Sequence, residues 1–154
     1  LPRAAAVARL AAVAFERGCM LEANVAEGIR VNGDPEWLER LTRILIDNAC
    51  KYAAGASDRR IHLSAQKVGE RLELQVRDHG PGIAAKDARR VFRPFFKSAQ
   101  EAARTAPGVG LGLALSRQLA RSMKGTLELS PVAGSRFIGE EGQGACFRFI
   151  LPCV

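Results

Sequence analysis

The sequence has little of what metal centres and disulfide frameworks are built from. It contains two histidines and four cysteines, with no Cys-x-x-Cys pair and no histidine at ligand spacing from a cysteine. Structural zinc sites and disulfide-rich domains depend on such paired spacings. We therefore expect Cys19, Cys50, Cys146 and Cys153 to be reduced thiols, as is usual in cytosolic proteins.

Long apolar segments are also missing. No run approaches the roughly 18 residues that a membrane-spanning helix requires, and the Ala-rich stretch from Ala4 to Phe15 is interrupted by Arg9. That stretch lacks the pattern of a signal peptide, and the chain begins with Leu1 rather than Met, so we expect a fragment of a longer protein. Aromatic residues make up only 6% of the chain, which argues against the stacking platform of a nucleic-acid-binding domain.

The residues that are present fit one soluble globular domain. The 154 residues are 47% hydrophobic and 25% charged, which is the balance of a folded rather than a disordered chain. Lys and Arg outnumber Asp and Glu by 23 to 16, giving a net charge of +7. This charge indicates an anionic partner, and a nucleotide, a nucleic acid, an acidic protein face and a membrane surface are all consistent with it.

The spacing of apolar residues predicts both helices and strands. Helical periodicity covers residues 3–16, 35–52, 86–92 and 111–124, and the last of these would bury Leu111, Leu115 and Leu119. Period-two alternation and short apolar runs predict strands at residues 20–25, 29–32, 61–65, 72–76, 126–130 and 145–151. Asp34 and Pro35 suit the cap and the first position of the second helix. The hairpin-like strand order, with helices in blocks, predicts a two-layer α/β sandwich with helices on one face of the sheet.

The first segment with a chemical character is LIDNACKYA, residues 45–53, in the second predicted helix. Asn48, Lys51 and Tyr52 share one helical face, and Asn48 lies four residues from Ile44 on the apolar stripe. A buried Asn without partners costs about 1–3 kcal/mol. Two interpretations remain open. The Asn48 side chain forms hydrogen bonds with neighbouring backbone groups, or its amide oxygen binds a cation while Lys51 beside it binds an anion.

The second segment is DHGPGI, residues 78–83, directly after a predicted strand. Gly80 and Gly82 remove side chains where another group can approach the backbone closely. Asp78 at the strand end can accept a hydrogen bond from an amine. The same residues also fit an ordinary Gly/Pro turn with a capping Asp.

The third and fourth segments flank a long loop. VFRPFFK, residues 91–97, contains clustered phenylalanines that fit either the core or a hinge that anchors a lid. Residues 93–107 have no clear periodicity, and a loop of this length in a compact domain is often a functional lid. GVGLGLAL, residues 108–115, alternates three glycines ahead of a helix, where free N–H groups can bind an anion. It is neither a Rossmann nor a Walker A motif, and by itself it also fits a flexible hinge.

In their order and spacing, these segments resemble the N, G1, F and G2 boxes of the sensor histidine kinase ATP-binding domain, one of the GHKL ATPases with the Bergerat fold. The resemblance covers about residues 19–152, and NACKY and GVGLGLAL are the histidine-kinase forms of their boxes. It implies a mixed, mostly antiparallel sheet and the cofactors ATP and Mg²⁺. It also implies a catalytic domain at residues 19–154, preceded at residues 1–18 by a helix or linker from an upstream dimerisation domain.

The resemblance also implies roles for individual residues. Asn48 would bind the magnesium ion that bridges the phosphates, Lys51 would contact phosphate, and Tyr52 would pack near the nucleotide. Asp78 would accept a hydrogen bond from the adenine amino group, while residues 93–107 would form the lid. The implied ATP-binding residues are Asn48, Lys51, Tyr52, Asp78, Gly80, Gly82, Ile83, Gly108, Val109, Gly110, Leu111 and Gly112, and the implied lid residues are Phe92, Phe95, Phe96 and Lys97.

Three features depart from the family pattern. The position one turn before Asn48, often a second Asn in the family, is Ile44, so magnesium binding or phosphate positioning is expected to be weaker or handled differently. Residues 131–141 are longer than the usual hairpin. The family's phosphoacceptor histidine lies on a separate upstream domain, and neither His62, in a strand, nor His79, in the turn, matches it.

The resemblance implies a histidine-bearing dimerisation domain of the same protein and a response regulator as partners, and no nucleic acid. The isolated domain would be a cytoplasmic monomer, and the full-length protein a homodimer anchored in the inner membrane or free of it. The leading hypothesis is transfer of the ATP γ-phosphoryl to the absent histidine, which this chain cannot complete alone. The alternatives are a GHKL nucleotide-binding regulatory module without phosphotransfer and an anti-sigma-type serine kinase.

Overall fold

The computed structural model describes residues 4–80, 82–83, 85–96, 111–130 and 144–154. Within these ranges the chain forms three α-helices, two 3₁₀ turns and a five-stranded sheet. No helix in the described ranges is both long and apolar enough to cross a membrane. The elements in chain order are α1 (Ala4–Glu16), β1 (Met20–Val25), α2 (Pro35–Ala53), β2 (Arg60–Val68), β3 (Arg71–Arg77), the 3₁₀ turns Ala85–Asp87 and Arg90–Phe92, α3 (Gly112–Ser122), β4 (Thr126–Ser130) and β5 (Cys146–Pro152).

The sheet is mixed and mostly antiparallel. Its strand order is β1-β2-β3-β5-β4, with β1 parallel to β2 and the other three pairs antiparallel. A parallel pair needs a crossover connection, and α2 provides it between β1 and β2. The predicted cap of α2 is confirmed, since Asp34 Oδ1 accepts a hydrogen bond from the Glu36 N–H at 2.8 Å and Pro35 occupies the first helical position.

The core lies between one face of the sheet and the helices. Leu63 is opposite Val76, and Phe149 lies between Leu74 and Leu127 in the register, each with no more than 2% of its surface exposed. The predicted two-layer α/β sandwich with helices on one face is therefore confirmed. The helical residues that share this core are Leu10, Ala14, Leu38, Leu41, Leu45, Ile46, Ala49, Cys50, Tyr52, Ala53, Leu113 and Ala120.

Two element predictions were wrong. Residues 29–32 do not form a strand, because Val31 makes only a single bridge, to Cys153. Residues 86–92 do not form one helix but contribute to two 3₁₀ turns, Ala85–Asp87 and Arg90–Phe92. In both places the apolar residues are too few for periodicity to define the backbone.

The apolar register predicted for α3 was wrong in part, since Leu119 packs partly against the core but the other two leucines do not. Leu111 and Leu115 are 42% and 40% exposed. The leucine stripe and the stripe that is actually buried both have helical spacing, so periodicity alone could not show which of them faces the core. The packing of α3 against α2 and β4 decides it. The buried residues of α3 are Leu113, Ser116 and Ala120.

Candidate functional site

The end of β3 places the Asp78 carboxylate in the protein interior, at 0% exposure. Its Oδ1 accepts hydrogen bonds from the Gly80 N–H at 2.8 Å and from the Ala145 N–H at 3.3 Å. Its Oδ2 is buried and has no hydrogen-bond partner within the described residues. Because an unsatisfied buried acceptor costs about 1–3 kcal/mol and more when charged, Oδ2 is suited to accept a hydrogen bond from a ligand.

The electrostatics of Asp78 follow from this burial. Removal from water raises the pKa of Asp78 to about 6, and the hydrogen bonds from Gly80 and Ala145, together with the charge of Arg77, oppose that rise without cancelling it. Asp78 is therefore ionised at neutral pH but more easily protonated than an exposed Asp. A bound amine that donates to Oδ2 would favour the ionised form.

Two glycines, one in the loop after Asp78 and one directly before β5, lie in contacts that are too close for a side chain. A Cβ on Gly80 would lie 2.4 Å from the carbonyl oxygen of Tyr52, at the end of α2. A Cβ on Gly144, whose φ is +78°, would lie 1.9 Å from the carbonyl oxygen of Asp78. The loop is thus held between α2 and the start of β5.

Gly144 and Ala145 belong to the site but were not predicted to do so. Besides accepting at Oδ1 from Ala145, Asp78 donates its own N–H to the Ala145 carbonyl at 3.0 Å. The only sequence signal was the pair of glycines before the last strand, in GQGACF. A sequence pattern does not show that this segment folds back onto a residue more than sixty positions earlier.

The face of α2 presents the amide and the lysine of the first segment. The Nδ2 atom of Asn48 is buried with no hydrogen-bond partner among the described residues. Lys51 is partly exposed and forms no salt bridge within the described part of the chain. Tyr52 is 5% exposed, and its carbonyl oxygen meets the Gly80 loop. Asn48 and Lys51 are therefore polar groups available to a ligand on α2.

The start of α3 packs against the same helix. A Cβ on Gly112 would lie 3.4 Å from Cγ2 of Ile44, one turn before Asn48. In this chain Ile44 therefore fills space between α2 and α3. The Gly112 segment near Ile44 and the Gly80 loop near Tyr52 thus contact α2 on either side of Asn48 along the chain.

The phenylalanine segment contains both buried and exposed rings. Phe92 is 6% exposed, its ring packs edge-on against Phe147 with 5.9 Å between centroids, and the Arg117 guanidinium lies 4.8 Å from its centroid. Phe95 is 70% exposed, whereas Phe96 packs partly against the core. Phe92 thus ties the segment to β5 and α3, directly before the predicted lid.

Of the remaining predicted site residues, the structure describes some and not others. Gly82 and Ile83 are buried beyond the Gly80 turn. Leu111, directly before α3, is exposed. The residues that lie outside the described ranges are Lys97, Gly108, Val109, Gly110, most of the predicted lid and the whole segment 131–141.

Known proteins match this chain over most of its length. A family model described as "Histidine kinase-, DNA gyrase B-, and HSP90-like ATPase" matches residues 33–154. Sensor protein KdpD of Escherichia coli K12 is 37% identical over 122 residues, which is 79% of this chain and 12% of KdpD. Sensor-like histidine kinase SenX3 of Mycolicibacterium smegmatis is 34% identical over 134 residues, 86% of this chain and 34% of that protein. The chain therefore spans only a minor part of these relatives.

Solved structures agree with the sequence matches. The mycobacterial sensor histidine kinase MprB superposes with a TM-score of 0.79 at 28% identity, covering 97% of this chain and 94% of that one. Full-length ShkA, solved in complex with AMPPNP, superposes with a TM-score of 0.75 at 26% identity, covering 97% of this chain and 29% of ShkA.

Proposed function

Since the chain belongs to the histidine kinase-, DNA gyrase B- and HSP90-like ATPase family and is homologous to sensor histidine kinases, we propose that it is the ATP-binding catalytic domain of a two-component sensor histidine kinase. Its substrates would be ATP and a histidine on a dimerisation domain of the same protein. The observation that carries the proposal is the Asp78 Oδ2 atom, which is buried without a hydrogen-bond partner in the described part of the chain, beside a loop that contacts α2.

Asp78 would recognise the base. Adenine presents an exocyclic amino group, a donor, where guanine presents a carbonyl oxygen, an acceptor. The Asp78 Oδ2 atom can accept from the first and would repel the second. Because Gly80 lets the turn pack directly on the Tyr52 carbonyl, the turn can hold Asp78 in place for the base. The site therefore favours ATP over GTP.

The polar groups on α2 would hold the phosphates and the metal ion. Magnesium takes oxygen ligands, and the Asn48 amide supplies one oxygen, while its unpartnered Nδ2 can donate to a phosphate. Lys51 and the backbone before α3 would add positive charge and N–H donors for the phosphates. The bound ion would neutralise phosphate charge, which phosphoryl transfer requires more than covalent chemistry by the protein.

The wider role follows from the same proposal. Residues 1–18 would lead from the upstream dimerisation domain into the catalytic domain at residues 19–154. The phosphohistidine would pass its phosphoryl to a response regulator, and the dimer contacts of the whole protein would lie on the upstream domain. The catalytic domain would work in the cytoplasm, where ATP is present.

Base recognition is tested by Asp78→Asn. This change keeps an oxygen for Gly80 and Ala145 but places an N–H donor where Oδ2 would accept. We expect ATP affinity, measured by calorimetry with Mg²⁺, to fall by about ten- to a hundredfold because two donors then face each other. Asp34→Asn is the matched control, since Asn also caps a helix, and it should leave affinity unchanged. Equal affinity in wild type and Asp78→Asn would contradict the assignment.

Phosphoryl transfer needs a separate experiment. The domain is joined to the upstream segment of its own full-length protein, and label from γ-³²P-ATP is followed into an acid-labile, base-stable phosphohistidine. We expect labelling in wild type and its loss in Asp78→Asn. Normal ATP binding without any transfer would instead support the regulatory module, and an acid-stable phosphoserine on a partner protein would support the serine kinase.

A further inference from the structure

A pair of histidines lies on the outward face of the sheet, outside the proposed ATP site. The Nε2 atoms of His62, on β2, and His79, just after β3, are 2.8 Å apart. Their rings meet edge-on, with centroids 4.9 Å apart and planes at 75°. The side chains are 33% and 19% exposed, so solvent reaches both. Neither histidine has a role in the proposed function.

Two carboxylates flank this pair. Glu22, the register partner of His62 on β1, places Oε2 3.4 Å from the Nδ1 atom of His62. Asp58 places Oδ2 3.7 Å from the Nε2 atom of His79. A metal-ligating histidine usually donates its other ring N–H to a carboxylate, and Glu22 lies close enough to His62 to accept that hydrogen bond when Nε2 binds a metal ion. Here the Nε2 atom of His62 faces His79.

We propose that His62 and His79 form a binding site for a divalent transition-metal cation, with their Nε2 atoms as ligands and Glu22 orienting His62. Imidazole nitrogen suits Ni²⁺, Cu²⁺ and Zn²⁺ and does not suit Mg²⁺. Among the described residues no three His, Cys, Asp or Glu side chains are arranged to hold a metal ion, so water would complete the shell.

The distance between the two nitrogens is short enough for one metal ion to bind both. With metal–nitrogen bonds of about 2.0–2.1 Å, a 2.8 Å separation corresponds to an angle of about 90° at the metal. That is the angle between neighbouring ligands in square-planar and octahedral coordination, which Cu²⁺ and Ni²⁺ adopt. Tetrahedral Zn²⁺ would need the nitrogens about 0.5 Å further apart.

The protonation of the pair is compatible with a metal. A hydrogen bond between two imidazoles requires one Nε2 without a proton, and Glu22 favours the proton of His62 on Nδ1. Partial burial lowers the pKa of His79, against the opposing effect of Asp58, and so favours its neutral form. Metal binding would break the hydrogen bond between the rings, turn both Nε2 atoms toward the ion and move the His79 proton from Nε2 to Nδ1, with no net proton released.

The site is tested on the nucleotide-free chain, with any affinity tag removed, by titration with NiCl₂. The chain has only two histidines, so histidine-selective NMR gives one set of imidazole signals for each. We expect both sets to broaden together at one Ni²⁺ per chain, and Mg²⁺ not to compete. Broadening of one histidine alone would overturn the proposal.

Variants locate the ligands. Calorimetry should show that His62→Gln and His79→Gln each lower Ni²⁺ affinity by at least about tenfold. Glu22→Gln should lower it by about tenfold. Cys153→Ser is the control for the partly exposed thiol and should bind Ni²⁺ as wild type does. Unchanged affinity in His79→Gln, or loss in Cys153→Ser, would place the metal elsewhere without affecting the proposed ATP function.

Discussion

At the residue scale, the ionised Asp78 carboxylate is needed for the proposed recognition of adenine but lowers the stability of the fold. Its pKa in the folded chain, about 6, is above the ordinary value of 3.8 because the carboxyl is buried. Between these two pH values the folded state binds more protons than the unfolded state, so the stability of the fold falls as pH rises through this window. The ionised acceptor that would select adenine therefore destabilises the nucleotide-free domain at neutral pH.

This opposition predicts a specific pH dependence. Asp78→Asn removes the titrating group, so the free energy of unfolding of the wild type relative to this variant should fall by about 2 kcal/mol between about pH 4 and pH 7. Urea denaturation of both proteins across this range measures the difference. A difference that is constant or that rises with pH would show that Asp78 is not titrating from a buried site.

At the element scale, α2 is the surface onto which the other segments assemble. Gly80 packs on its last turn and Gly112 packs near Ile44. Because residue 80 is a glycine, the loop reaches the backbone of α2 more closely than a side chain would allow. The position of Asp78 relative to Asn48 thus depends on the absence of a methyl group at residue 80.

Gly80→Ala should therefore disturb both folding and binding. The added Cβ would meet the Tyr52 carbonyl oxygen at 2.4 Å, so the loop must move, with an expected loss of about 1–3 kcal/mol of stability in urea denaturation and weaker ATP binding. Gly33→Ala is the matched control, because its Cβ would meet flexible side chains, those of Met123 at 3.4 Å and Leu151 at 4.0 Å. Equal behaviour of the two variants would mean that the loop does not depend on this contact.

The phenylalanine segment offers a second test at the scale of elements. Phe92→Ala removes a buried ring packed on Phe147 and beneath Arg117, and should cost about 3–5 kcal/mol of unfolding free energy. Phe95→Ala changes a ring that is 70% exposed and should stay within about 0.5 kcal/mol of wild type. If both variants lost stability equally, Phe92 would not be the anchor of this segment.

At the scale of the whole molecule, the net charge of +7 attracts any polyanion. Non-specific attraction would act on ATP and GTP alike and would weaken with salt. A specific site should instead separate the two nucleotides, since they carry the same phosphates but opposite hydrogen-bonding groups at the base.

Thermal unfolding distinguishes the two cases. ATP with Mg²⁺ at a hundred times its Kd should stabilise the domain by about 2.7 kcal/mol, which corresponds to a rise in Tm of about 5–10 °C for a chain of this size. GTP at the same concentration should give a much smaller rise at low and at high salt. Equal shifts that vanish together as salt is raised would identify charge alone as the cause.

Much of this domain could be read from local sequence because helix caps, strand alternation and turn glycines act within a few residues. Asp34 and Pro35 begin α2 as predicted, and the alternating apolar residues of β2 and β3 face the core. The order of the Asn48, Asp78 and Phe92 segments along the chain was likewise enough to indicate the family.

The tertiary structure decided the features that depend on distant contacts. The parallel pairing of β1 with β2, the buried face of α3, the closure of Asp78 by Gly144 and Ala145, and the approach of His79 to His62 all join residues far apart in sequence. A periodic pattern shows that a segment has an apolar face, but only the packing of the whole chain determines what that face meets and which polar atom is left unpaired.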